Sequence, residues 1–195
     1  MTRAVWDHLL EATRSAHAAH PRLGAFTRFA PDLSETHVEP HRIPAASLFE
    51  ADDTLTSSLA QAFRAASPLA RWRETYKHTA IGDDFLNRFG CYCLIGKGGA
   101  FQSAEMSAYM VYMPPDLWYP WHHHPGEEIY CVLDGEAEFL RDGHASETLG
   151  PGGTSQHCSN QPHATRTRDH SVLALVLWRS HLTIPPVLTS REVAA

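Results

Sequence analysis

From about Phe85 onward the sequence consists of short apolar segments separated by glycine and proline, and this alternation constrains the fold more than any other feature. The segments are rich in valine, tyrosine, phenylalanine and cysteine, as in FGCYCLIG, SAYMVYMPP, EEIYCVLDG and SVLALVLWR. Repeated short strands with turn residues at this spacing are typical of a β-sandwich or β-barrel. Within VLDGEAEF, Asp134 and Gly135 predict a type I′ turn and therefore a β-hairpin.

The preceding part of the chain has a helical pattern instead. Apolar residues recur with a helical period over residues 4–18, which predicts an amphipathic helix. Residues 21–47 contain four prolines and predict an irregular segment. A second helix is expected to begin at Asp52 or Asp53 and to bury Leu55, Leu59, Ala60 and Phe63. Leu69, Trp72 and Tyr76 are expected to continue it as a short third helix.

Composition and charge argue against several classes of function. The formal net charge of −6 and the pI of about 6.1 predict no basic surface for nucleic acid or anionic lipid. The first residues lack the apolar core of a signal peptide, and no apolar run is long enough to cross a bilayer. None of the four cysteines is spaced as CxxC, so we expect free thiols in a reducing cytoplasm.

Among the 14 histidines, one cluster has the spacing of metal ligands. The pattern HxHxxxExY comprises His122, His124, Glu128 and Tyr130. Because side chains alternate along a strand, these even-numbered residues are expected to share one face wherever the chain is extended. His163 follows about 35 residues later, after a turn at PGG, and supplies a further imidazole. The set predicts one divalent ion, with zinc, Fe(II), manganese, nickel and cobalt all suitable.

Two nearby histidines are interpreted differently. His123 is odd-numbered and is expected to point away from the ligands. His157 is either a residue that supports the ligands or a histidine at the barrel rim, and the rim is the simpler interpretation.

The segment HHHPGEEIYCVLDG resembles cupin motif one, and GPGGTSQHCSNQPHA resembles cupin motif two. The wider context YPWHHHPGEEIY and the segment RWRETYKHTAIGDDFLNRFGCYCLIG are similar to long-form bacterial cupin lyases that cleave dimethylsulfoniopropionate (DMSP). The resemblance implies a mainly β fold, a cupin (double-stranded β-helix) barrel with an N-terminal helical extension. It suggests a helical region over 1–78, the barrel over 79–182 and a C-terminal tail over 183–195.

The resemblance also implies a chemistry. His122, His124, Glu128 and His163 match metal-binding positions, and Tyr119 and Tyr130 match active-site tyrosines. The reaction implied is a β-elimination that releases dimethyl sulfide and acrylate. A dication about 4 Å from a phenol, at an effective dielectric of about 20, is worth roughly 8 kcal/mol before desolvation, enough to make a tyrosine a base. Parity with Glu128 favours Tyr130 as the base, with Tyr119 as the alternative or as an assisting hydrogen-bond donor.

The implied substrate is a small zwitterion, and its sulfonium group is expected to contact aromatic faces. The candidates are Tyr109, Trp118, Trp121 and Trp178, with a mild preference for Trp178. Two other functions are compatible with these ligands: an iron-dependent cupin dioxygenase and a non-enzymatic cupin that binds a small carboxylate. A monomer or a homodimer is expected.

Overall fold

The structure is a computed structural model that describes residues 2–190. Within that range the helices are α1 (Thr2–Ala19), α2 (Pro21–Phe26), α3 (Pro44–Ala51), α4 (Ser58–Ala66) and α5 (Asp83–Arg88), with a 3₁₀ turn at Ser67–Leu69. Helix α1 confirms the first predicted helix, and it buries Trp6, Leu9, Thr13 and His17 along one stripe.

The strands are β1 (Ser34–Glu35), β2 (Gly90–Ile95), β3 (Phe101–Gln102), β4 (Ser107–Met113), β5 (Trp118–His123), β6 (Glu127–Gly135), β7 (Ala137–Arg141), β8 (Glu147–Leu149), β9 (Thr154–His157), β10 (His163–Arg166), β11 (Val172–Arg179) and β12 (Val187–Leu188). They form two sheets. The large sheet has the order β1-β3-β2-β4-β11-β6-β9, and the small sheet has the order β12-β5-β10-β7-β8. The prediction of a mainly β fold with N-terminal helices is confirmed.

The large sheet is buried on both faces, and alternate residues of each strand belong to different cores. Ile129 and Leu177 pack with the helices, in a core that includes Phe49. Tyr130 and Val176 face the other way, into a core shared with aromatic residues of the small sheet. Burial on both faces explains why VLALVLW, residues 172–178, is apolar without interruption. The second core, between the two sheets, contains the candidate site.

The proline-rich segment is more regular than predicted. Helices α2 and α3 lie partly or wholly within it, and each has a proline in its first turn. Proline is favourable there because its missing N–H would have no partner in the helix. The predicted cap of the next helix is also wrong: Asp52 ends α3, and Ser57 caps α4 by accepting a hydrogen bond from the Ala60 amide.

The predicted third helix is absent from the described residues. Leu69 ends the 3₁₀ turn, and Trp72 instead forms a β-bridge with Tyr92 at the edge of the large sheet. Burial of the indole between Phe49 and Tyr92 outweighs the local helical pattern. The short helix α5 was not predicted.

The predicted hairpin at Asp134 and Gly135 is wrong. Strands β6 and β7 belong to different sheets, so the segment is a crossover. Gly135 has φ of 72°, and a Cβ there would lie 1.8 Å from the Ser171 carbonyl oxygen, whereas Asp134 has no positive φ. The Asp134 carboxylate instead accepts hydrogen bonds from the Ser57 amide at 3.1 Å and the Ser57 hydroxyl at 2.5 Å. It thereby ties the start of α4 to the barrel.

No helix within residues 2–190 has the length and apolarity needed to span a bilayer. The division of the chain at residues 78 and 182 stays a prediction.

Candidate active site

Three buried side chains, two from the small sheet and one from the large sheet, meet in the space between the two sheets. His122 on β5 and His163 on β10 are directly opposite each other in the register of the small sheet. Glu128 on β6 faces them from the large sheet. The three offer ligand atoms that all lie within 4.8 Å of one another.

Backbone carbonyls orient the imidazoles. In His122, His124 and His163 the ring Nδ1 lies 2.8 Å from a carbonyl oxygen two residues away in the chain; these oxygens belong to Pro120, Gly126 and Gln161. A carbonyl only accepts, so each Nδ1 carries the proton and donates it. The lone pair of each ring is therefore on Nε2, as in histidines that bind metals.

Two of these Nε2 atoms are buried without a hydrogen-bond partner among the described residues, those of His124 and His163. They lie 3.2 Å and 2.7 Å from Oε1 of Glu128. Lone pairs that face a carboxylate across so short a distance repel it unless a cation lies among them. The donor set of imidazole nitrogens and one carboxylate therefore fits a divalent metal ion. All four predicted ligands meet here, with His124 just outside the tightest group of three.

Glu128 is held by its neighbours on the two adjacent strands. Its cross-strand partners are Trp178 on β11 and His157 on β9. The Trp178 indole N–H donates to Oε2 at 2.7 Å, and Nδ1 of His157 donates to Oε1 at 2.8 Å. His157 also contacts the Ser155 hydroxyl at 3.0 Å and stacks on the His163 ring at 3.9 Å. The rim interpretation of His157 is therefore wrong.

Burial and charge set the protonation of these groups. Burial lowers the pKa of His157 to about 3 and holds the pKa of His122 well below its usual range, so both imidazoles are neutral. Burial alone would raise the pKa of Glu128, but the charges of His124 and His163 outweigh it and hold that pKa well below the usual range. A bound divalent ion would take the place of these positive charges, because imidazoles bind a metal in their neutral form.

The two candidate tyrosines line one cavity with His122, His124 and Glu128. Tyr130 lies on the Glu128 face of β6, with its ring 5.7 Å from that of His157. The Tyr119 hydroxyl is 2.9 Å from that of Tyr76, and its ring stacks on His122 at 3.9 Å. Burial raises the pKa of both tyrosines well above the usual value.

A β-bulge explains why Tyr119 and His122 both face the cavity although an odd number of residues separates them. His122 pairs with His163 and Tyr119 with Thr165, so β5 carries one residue more than β10 over this interval. Such a bulge resets the alternation of side chains, and Pro120 lies within it. The regular alternation of side chains along a strand would place Tyr119 and His122 on opposite faces.

The four aromatic residues expected around the sulfonium group separate into two pairs. Tyr109 and Trp178 line the cavity, with ring centroids 5.7 Å apart. Trp118 lies outside it, under the Arg166 guanidinium at 4.7 Å, and Trp121 is also absent from the lining. His123 points away from the ligands and contacts the Thr189 hydroxyl at 2.7 Å.

Sequence reasoning missed two further residues of the cavity region. Tyr76 holds Tyr119, and Arg73 lines the cavity. Both residues belong to RWRETYK, a segment whose irregular backbone gives no periodic pattern in the sequence. The one sign that this segment contributes to the site was its likeness to long-form lyases.

Two mainly antiparallel sheets that enclose a buried group of histidines and one carboxylate, able to hold a metal ion, define a barrel of the cupin type. Comparison with known proteins narrows this class. The sequence model of the dimethylsulfoniopropionate lyase family matches residues 17–174, and the chain belongs to that family.

Individual relatives agree over almost the whole chain. Dimethylsulfoniopropionate lyase DddQ of Ruegeria pomeroyi is 48% identical over 195 residues, which covers 98% of this chain and 97% of that protein. The crystal structure of that DddQ superposes with a TM-score of 0.94 and covers 97% of this chain and 98% of its own. A chain from the crystal structures of the DMSP lyases RdDddP and RnDddQII is 36% identical, with a TM-score of 0.92, covering 97% and 100%.

Proposed function

We propose that this protein cleaves DMSP to dimethyl sulfide and acrylate by β-elimination, using one divalent metal ion held by His122, His124, Glu128 and His163. The observation that carries the proposal comes from a member of the DMSP lyase family: buried Nε2 atoms without a hydrogen-bond partner in residues 2–190 converge on Glu128. Zinc, Fe(II), manganese, nickel and cobalt all suit these donors, so elemental analysis decides among them.

Tyr130 is the base that removes the proton from the carbon next to the substrate carboxylate. Its ring lines the cavity beside Glu128, and no hydrogen bond to another group of residues 2–190 occupies its hydroxyl. Because burial and Glu128 both raise its pKa, the phenol needs a nearby positive charge in order to ionise. When bound, the metal ion would supply that charge and stabilise the negative charge that develops on the substrate carboxylate.

Tyr119 assists as a hydrogen-bond donor. Its hydroxyl is paired with that of Tyr76, and its stacking on His122 fixes the ring. A hydroxyl that is already paired with another phenol suits a donor better than a base. Tyr119→Phe is therefore milder than Tyr130→Phe.

Trp178 contacts the sulfonium group, with Tyr109 beside it. The indole is immobilised by its hydrogen bond to Glu128 and by stacking on His124 at 4.0 Å. A rigid aromatic wall is the expected partner for a cation that has no hydrogen-bond donors.

The free cysteines of the described chain agree with a reducing compartment, and we propose a cytoplasmic location.

The test compares two buried tyrosines on opposite faces of the large sheet. Protein stripped with a chelator and reloaded with one metal at a time is incubated with DMSP, and dimethyl sulfide is measured in the headspace. Tyr130→Phe should lower release about 100-fold or more, the usual scale for a positioned base, with metal retained. Tyr92→Phe, which loses only a bond to the Phe63 carbonyl on the helix side, should keep turnover. Normal release from Tyr130→Phe would contradict the assignment.

A further inference from the structure

Arg73 is a guanidinium at the edge of the cavity for which the reaction proposed above gives no role. Trp72 pairs with Tyr92, and the Arg73 amide then donates to the Cys91 carbonyl at 2.8 Å, so the segment extends the large sheet by one short edge strand. Neighbouring side chains on such a strand point to opposite faces. Trp72 accordingly packs with the helices, and Arg73 lines the cavity.

No carboxylate of residues 2–190 forms an ion pair with this guanidinium, although other arginines such as Arg42 and Arg88 have one. The adjacent Glu74 is already paired with Lys77 at 3.0 Å and His41 at 3.1 Å. The Arg73 guanidinium carbon lies 5.1 Å from the centre of the Tyr109 ring. Nε of Arg73 donates a long hydrogen bond to the Thr75 hydroxyl at 3.5 Å. A partly buried cation whose neighbours are hydroxyls and one aromatic ring, with no carboxylate, retains donors for an anion.

Arg73 also stands where two cavities meet. The outer cleft, lined by Arg71, Arg73, Lys97 and Thr183 among others, shares Arg73, Thr75, Tyr109 and Trp178 with the inner cavity. A small molecule that moves between the outer cleft and the inner cavity passes these residues. Arg71 and Lys97 are exposed, and they add positive charge on the outer side.

We propose that Arg73 binds the carboxylate of the substrate, and that of acrylate after elimination, at the junction of the two cavities. This inference rests on the proposed function and adds the orientation of the substrate. A guanidinium attracts the carboxylate and repels the sulfonium, and it already covers one face of Tyr109. Arg73 therefore holds the carboxylate end of the substrate, and the sulfonium end contacts the indole of Trp178, which lines both cavities.

The test is binding of acrylate to the metal-loaded protein by calorimetry, with neutral acrylamide as the comparison ligand. Arg73→Met should weaken acrylate binding about 10-fold or more, the scale for a hydrogen bond between charged groups, and should abolish the preference for acrylate over acrylamide. Arg73→Lys should restore part of it, since lysine keeps the charge but not the planar fork. Arg71→Met, two residues away in the outer cleft only, is the matched control and should change little.

Turnover gives a second readout. Arg73→Met should raise KM for DMSP more than it lowers kcat, because the contact acts in binding. Arg73→Gln gives the same measurement if the methionine variant folds poorly. Unchanged acrylate binding in Arg73→Met, or an equal loss in Arg71→Met, would overturn the inference. If the wild-type protein releases no dimethyl sulfide yet Arg73→Met still loses acrylate, the proposed function fails and the carboxylate site stands.

Discussion

Replacing His157 by alanine should weaken metal binding although His157 is not one of the proposed ligands. The imidazole is buried and neutral, and its Nδ1 proton is donated to Oε1 of Glu128 at 2.8 Å. A hydrogen bond to a charged group is worth about 1.5–3 kcal/mol. Loss of a partner that orients a ligand typically costs about 10–100-fold in metal affinity, which is roughly 1.4–2.8 kcal/mol. The two magnitudes agree, so we expect a loss in this range.

The assay is competition with a chelator of known affinity, followed by turnover at saturating metal. His157→Asn places an amide N–H near the former Nδ1 position and should recover most of the affinity. His123→Ala is the matched control, because His123 faces Thr189 rather than the ligands. Wild-type affinity in His157→Ala, or the same loss in His123→Ala, would refute the argument that the hydrogen bond positions Glu128.

Three other predictions concern the ligands and the fold. Glu128→Ala and His163→Ala should each lose most of the bound metal while circular dichroism shows an intact fold; metal at the wild-type level in both, by elemental analysis, would remove them from the ligand set. Asp134→Ala should lower the free energy of unfolding by about 1–3 kcal/mol in urea titrations, because the Ser57 amide and hydroxyl lose their acceptor. Burial lowers the pKa of His157 to about 3 from its ordinary 6.5. As the pH falls, His157 is therefore protonated in the unfolded chain before it is protonated in the folded chain. Metal-free protein should therefore lose stability as pH falls from about 6.5 towards 3, by on the order of 4 kcal/mol from this residue, and His157→Asn should flatten that slope.

The proposed ligands could be identified from sequence because their signal is local. His122, His124 and Glu128 are close in the chain, and on β6 the alternation that places Tyr130 with Glu128 is regular. Only His163 comes from farther away, directly after Pro162 and at the start of β10. The arrangement of most of the proposed ligands therefore follows from a short motif on regular strands.

Features that depend on contacts between distant segments could not be predicted in this way. The turn residues at Asp134 and Gly135 suggest a hairpin, but the choice of sheet for β7 is made by tertiary packing. The bulge in β5 turns Tyr119 inward against the parity of the strand. His157 becomes a partner of Glu128 only through the register between β6 and β9. Each of these needs a partner strand that the local sequence does not specify.

The most direct test of the account is the stoichiometry of the reaction without oxygen. Metal-loaded protein and DMSP are sealed under nitrogen, dimethyl sulfide is measured in the headspace and acrylate in solution, and chelated protein serves as the blank. β-Elimination predicts equal amounts of the two products, unaffected by the absence of oxygen and abolished by the chelator. Release that requires oxygen would indicate a dioxygenase, and tight DMSP binding without either product would indicate a binding protein; both outcomes contradict the account.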